Sequence, residues 1–144
     1  MSTLQDLADR QAIADLIHTY ARHVREGTGG QCGDLFTGDG VFEMREKNPH
    51  DPASDRQLLW VEGLAAVRKF IGDSTQAGPV RICPLIHNLL ITLKGDTARA
   101  GSVVEGRSFP PGSEVLGVYD DALRRTADGW RFARRTFTFL RAAG

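Results

Sequence analysis

Residues 82–109, ICPLIHNLLITLKGDTARAGSVVEGRSF, decide how the rest of the chain is read. They split into two strand-like runs, 82–94 and 97–109, around the turn KGD at 94–96. Two more such runs follow at 114–125 and 130–140, set off by PPG at 110–112 and ADG at 127–129. Four consecutive strands with short turns predict an antiparallel meander. Upstream the pattern is helical. LQDLADRQAIADLIHTYARHVRE, residues 4–26, carries apolar side chains at 7, 13, 16, 17, 20, 21 and 24, one stripe at helical spacing. GTGG at 27–30 ends that helix. A short helical segment at 31–37, a strand at 41–46, a charged loop at 46–58 and a helix at 64–71 are expected next. GP at 78–79 marks the change to strands. Helices first and a meander afterwards give an α+β order. A curved sheet wrapped against a long helix leaves a pocket of the kind that holds small molecules.

Composition narrows the function. The 144 residues suit one domain spanning 1–144, and 41% of them are hydrophobic, enough for a core. Lys plus Arg equals Asp plus Glu at 18 each, so charge gives no case for nucleic acid or an anionic membrane. The start, MSTLQDLADRQ, lacks the basic and apolar regions of a signal peptide. Cys32 and Cys83 sit in unrelated segments and read as free thiols of a reducing, cytoplasmic compartment. Glycine-rich phosphate loops, HExxH, CxxC and GxSxG are all missing, and the four histidines have no metal-ligand spacing. No metal and no cofactor are therefore expected.

Four pieces, taken in order, resemble the SnoaL-like branch of the nuclear transport factor 2-like superfamily. They are IADLIHTYARHV at 13–24, DLFTGDGVFE at 34–43, NLLITLKGDTARA at 88–100 and GVYDDALRRTADGWRFARR at 117–135. The resemblance implies a cone-shaped α+β barrel, with a curved antiparallel sheet and helices closing a deep pocket. It implies a small apolar cyclic or aromatic ligand and a homodimer. Members include scytalone dehydratase, ketosteroid isomerase, polyketide cyclases and limonene epoxide hydrolase, so the fold alone names no reaction. By the same resemblance Tyr20 lines the pocket, and Tyr119, Asp121 and Arg135 fit the general pattern. Several acid–base positions depart from it. Arg25 stands where many members have an acid, Pro84 and Ser102 where dehydratases have histidines, and Met44, beside Glu43, where isomerases have an aspartate.

His87 and Asn88 pose the sharpest question, because both lie in a greasy strand. Alternation puts His87 on a face with Leu85 and Leu89, and Asn88 on a face with Pro84 and Ile86. The resemblance makes the Pro84–Asn88 face the cavity side, unless a bulge near Pro84 inverts it. An imidazole that reached the pocket could both take and return a proton. Tyr20 could donate to a carbonyl or oxyanion, and Asn88 could orient a substrate oxygen. Asp121 reads either as a base with raised pKa or as the partner of a strand arginine. Arg25 reads either as an anion contact or as a solvated helix-end arginine. Glu43 and Glu105 stay open between catalytic acid and edge charge. Phe42, Met44 and Trp60 read as core or pocket wall.

Three activities compete. One is a lyase or dehydratase using Tyr20, His87 and Asp121, with Arg25, Phe42, Met44, Trp60, Asn88, Tyr119 and Arg135 around the substrate. The second is an isomerase or cyclase working without a leaving group. The third is a non-catalytic ligand-binding homodimer.

Overall fold

The computed structural model describes residues 3–48, 50–51, 53–75, 81–112 and 114–140. The GP signal at 78–79 lies outside them. Helix α1, Leu4–Glu26, begins at a capping box in which the Thr3 hydroxyl accepts from the Asp6 amide and the Asp6 carboxylate accepts from the Thr3 amide. It ends at Gly27, whose φ of 75° closes the last turn in the left-handed region. The expected stripe is buried at Ile13, Leu16, Ile17, Tyr20 and Ala21, but Leu7 remains 56% exposed. A 3-10 turn, Gly29–Leu35, replaces the short helix expected at 31–37.

Six strands and a second helix complete the chain. They are β1 (Phe36–Lys47), β2 (Asp55–Glu62), α2 (Leu64–Thr75), β3 (Arg81–Lys94), β4 (Thr97–Phe109), β5 (Glu114–Thr126) and β6 (Gly129–Phe139). They form one curved sheet in the order β2-β1-β6-β5-β4-β3, open at both edges, with β1 parallel to β6 and every other pair antiparallel. The architecture is the expected α+β cone. α1 lies across β3 and β6, and α2 closes over the 3-10 turn and β1.

Three boundaries move, the first being the end of α2, at Thr75 rather than 71. β1 starts at Phe36 rather than 41, because GDG at 38–40 is absorbed as an irregularity: Phe36 pairs with Phe132 and Val41 already with Arg134. The loop expected at 46–58 is shorter. Its flanks form ladder down to Lys47 opposite Asp55, an end held by Lys47–Asp55 and Arg56–Glu46 ion pairs. The charges that suggested a loop are the solvated edge of a hairpin. Among the described residues no helix is long and apolar enough to cross a membrane.

Bulges decide which side chains enter the cone. In β3 the register shifts between His87 and Leu90, and Asn88 takes a φ of 53°. Before the shift Ile82, Pro84 and Ile86 face inward; after it Leu89, Ile91 and Leu93 do. In β6 the irregularity opposite Ala122 and Leu123 does the same. Trp130 and Phe132 face inward before it, and Arg135, Phe137 and Phe139 after it.

Candidate active site

A cavity of about 220 Å³ opens between α1, α2 and the inner face of the sheet. Phe42 and Met44 of β1 form one wall, and Phe70 and Ile71 of α2 cover it. Phe137 forms part of the floor, its ring lying where a side chain on Gly117 would be: a Cβ there would come within 2.5 Å of it. Tyr20 and Tyr119 meet edge to face across one end, with ring centroids 6.2 Å apart.

The lining is nearly all hydrocarbon, so its few polar atoms matter. Ser74 and Thr75 of α2 line the cavity, but both hydroxyls donate to the Ile71 carbonyl at the helix end. Tyr20 and Tyr119 both line the cavity, and neither phenol has a hydrogen-bond partner among the described residues. Burial pushes both tyrosines above their ordinary acidity range, well above for Tyr20, so both are neutral donors.

Behind the tyrosines lies a buried ion pair. Asp121 and Arg135 are cross-strand neighbours, both 0% exposed, with Arg135 Nε 3.1 Å from Asp121 Oδ1. The guanidinium carbon sits 3.4 Å from the Tyr119 ring centroid, 4.3 Å from that of Tyr20 and 4.7 Å from that of Phe132. The pair lacks well-aligned hydrogen bonds: among the described residues neither Asp121 oxygen and none of the Arg135 nitrogens has one. Ser102, which resemblance placed at a family histidine position, points inward from β4 opposite Tyr119, and its hydroxyl is likewise buried and unbonded. Burial pushes Asp121 up to about 6, and the Arg135 charge limits the rise.

The structure thus brings together Tyr20, Tyr119, Asp121, Arg135, Phe42 and Met44. The strand-arginine alternative for Asp121 is the observed contact. The other candidates lie elsewhere. Asn88, expected on the cavity face, is exposed at the β3 bulge, because the register slips after His87 and carries it outward. His87 is half exposed on the outer face, with Nε2 3.4 Å from Glu105. Arg25 pairs with Glu26 and shares with His87 a surface groove between α1 and β3 that meets the cavity only at Pro84; neither residue lines the cavity itself. Trp60, expected in the pocket wall, is 50% exposed opposite Glu43 on the outer face, since alternation sends its neighbours Leu59 and Val61 inward. Glu43 is buried outside the cavity, held by Arg45, Gln57 and Thr136, and Glu105 pairs with Arg107 as well as His87. α2 was expected as a helix over 64–71 but not as a wall of the cavity; its one signal for that is the apolar face of LAAVRKFI running into the polar end GDST.

The SnoaL-like domain family matches residues 5–136. The chain belongs to this family. No curated protein matches it. Among solved structures, a candidate aromatic ring hydroxylase of Novosphingobium aromaticivorans is 29% identical, with 94% of this chain and 92% of that one covered and a TM-score of 0.73. A candidate scytalone dehydratase of the same organism is 18% identical over 94% of this chain and 87% of that one, with a TM-score of 0.73. A nuclear transport factor 2-like protein with a cystatin-like fold, also from that organism, is 23% identical over 100% and 94%, with a TM-score of 0.67. The last two show the shared fold alone.

Proposed function

We propose that this SnoaL-like protein is a cofactor-independent acid–base lyase or dehydratase acting on a small, mostly apolar cyclic or aromatic substrate. The observation that carries the reading is the pair of unbonded phenols on an otherwise hydrocarbon cavity. A cavity of about 220 Å³ suits one or two fused rings; a dry apolar cavity of roughly 150 Å³ holds benzene. Tyr20 and Tyr119 would donate to one carbonyl oxygen and hold the charge that develops there when a neighbouring C–H proton leaves. Loss of water from the adjacent carbon would complete the reaction. Asp121 has the acidity of a proton acceptor at neutral pH. It lies behind Tyr119, so it takes the proton only once that ring moves aside.

The test is incubation with a panel of mono- and bicyclic β-hydroxy ketones, with product mass followed by mass spectrometry. Loss of water, abolished in Tyr20→Phe and Tyr119→Phe variants that still fold, supports the reading. A rearranged product of unchanged mass points to the isomerase or cyclase alternative. Saturable binding without turnover across the panel overturns the enzyme reading. It leaves a ligand-binding domain, which the sealed position of Asp121 favours. We also propose a homodimer through the outer sheet face, where Leu58, Trp60 and Leu116 are exposed. Light scattering should then give twice 15.8 kDa; a monomer at high concentration excludes it. The free thiols of Cys32 and Cys83 fit a reducing, cytoplasmic setting.

A further inference from the structure

We propose that Arg135 sets the ligand preference of the cavity, selecting ring compounds whose oxygen is anionic or becomes so, by holding a fixed positive charge behind both pocket tyrosines. The inference rests on the reading of the cavity as a binding site, but not on turnover. Arginine stays charged even when buried. Here its guanidinium lies against the rings of the two tyrosines that line the cavity. A cation on the face of a phenol draws density from the ring and makes its O–H a stronger donor. The same charge acts on the ligand oxygen through a low-dielectric layer, where screening is weak.

Arg135 is free to play this part because its nitrogens are not committed to other hydrogen bonds among the described residues. A wholly structural arginine at 0% exposure would be expected to spend its donors on carbonyls. The surrounding groups leave the balance to Asp121. Cys32, also buried nearby, is neutral, its thiol pushed up to about 12 by burial. Asp120 and Arg134 flank the pair and act on Asp121 in opposite directions. The net charge behind the tyrosines is therefore decided by whether Asp121 offsets Arg135. Arg135 acts through Tyr20 and Tyr119 and is a positioning residue.

The probe is 4-nitrophenol, one ring in size, which titrates near neutrality and changes absorbance on ionisation. Its pKa is read by absorbance with the protein in excess. Nitrobenzene, uncharged and of similar size, is the control. Wild-type protein should lower the pKa of bound nitrophenol, and Asp121→Asn should lower it further. The shape-conserving neutral pair Asp121→Asn/Arg135→Gln should reverse the shift and weaken nitrophenolate about tenfold or more, since an interior charge interaction of this kind is worth at least that factor. Nitrobenzene affinity should stay within about twofold, because its contacts are apolar. An unchanged pKa in the double variant overturns the proposal, as does failure of wild-type protein to bind nitrophenolate more tightly than nitrobenzene. Binding lost in Tyr20→Phe/Tyr119→Phe but indifferent to the neutral pair would keep the site and sink the role of Arg135. A nitrophenol shift in a protein that turns nothing over would keep that role and sink the lyase.

Discussion

Asp9 and Asp121 are both buried, both face an arginine of β5 or β6, and both arginines lie against aromatic rings. Their surroundings differ in every other respect. Asp9, on α1, receives two hydrogen bonds from Arg125, at 2.8 and 2.7 Å, another from Trp130 Nε1 at 3.2 Å and one from Gln5 at 2.9 Å. Arg125 reaches on to Asp96 in the β3–β4 turn. These bonds, that from Arg125 foremost, hold the Asp9 carboxyl well below the usual range. Asp121 has an arginine at contact distance but no aligned bond, and burial drives it the other way. The first arrangement is a clasp that ties α1 to the sheet. The second keeps charge without spending it, and it lies directly behind the groups that face the cavity. Residue type does not separate the two arrangements; hydrogen-bond saturation does.

The contrast can be broken most forcefully at Arg135. Arg135→Leu alone strands a buried carboxylate and should cost about 3–5 kcal/mol in urea unfolding at neutral pH. Asp121→Leu/Arg135→Leu together should recover most of that, because a pair replaced by apolar groups of similar size is near neutral. A double variant as unstable as the single one would mean that the pair is itself a structural clasp.

Asp9→Asn should be the next largest change. It removes the charge from a saturated network, so the melting temperature falls at pH 7. The loss should shrink in acid. A carboxyl with a depressed folded pKa contributes stability above its unfolded value of about 4, and that contribution disappears as pH falls through the folded value. A deficit independent of pH would show that shape, not charge, makes the clasp.

Asp121 predicts the opposite slope, and a smaller one. Its folded pKa, pushed up to about 6, lies above its unfolded value of about 4. The native state then binds the extra proton, so the contribution of this group to stability grows as pH falls from about 6 to about 4 and is lost as pH rises through about 6. Denaturant curves over that window should show the slope in wild-type protein and not in Asp121→Asn. The smallest effect belongs to Arg25→Gln on the surface, expected within about ±0.5 kcal/mol and without change in nitrophenol affinity. A large loss there would return Arg25 to the site.

Much of the molecule was legible in its pattern. The α1 stripe from Ile13 to Ala21 and the turns KGD and ADG gave the layers and the meander, because periodicity of 3.6 and 2 reports burial directly. Tyr20 sits on that stripe, but its place at the pocket, like those of Tyr119 and Asp121, came from the family resemblance rather than from periodicity. The misplaced face of β3 comes from a place where period 2 breaks. The β3 bulge at Asn88 moves the inner face from even to odd residues, so Asn88 leaves the cavity side while Pro84 stays on it. The irregularity near Ala133 brings Arg135 inside an otherwise solvated arginine run, a placement that only the family resemblance, not the local pattern, indicated. Neither site holds a glycine or an Asn-Gly pair to announce it. Trp60 shows a further limit, since a large aromatic side chain on an outer face reads like core in sequence. The saturation of Asp9 depends on partners 116 and 121 residues away, a distance no local pattern reports.

The two-aspartate contrast has one direct test: carboxyl carbon-13 NMR, following Asp9 and Asp121 through one pH titration of the folded protein. The account predicts an Asp121 midpoint near about 6, with Asp9 still ionised when the exposed carboxylates have taken up their protons. Two midpoints together in the ordinary carboxylate range, or the reverse order, would contradict it.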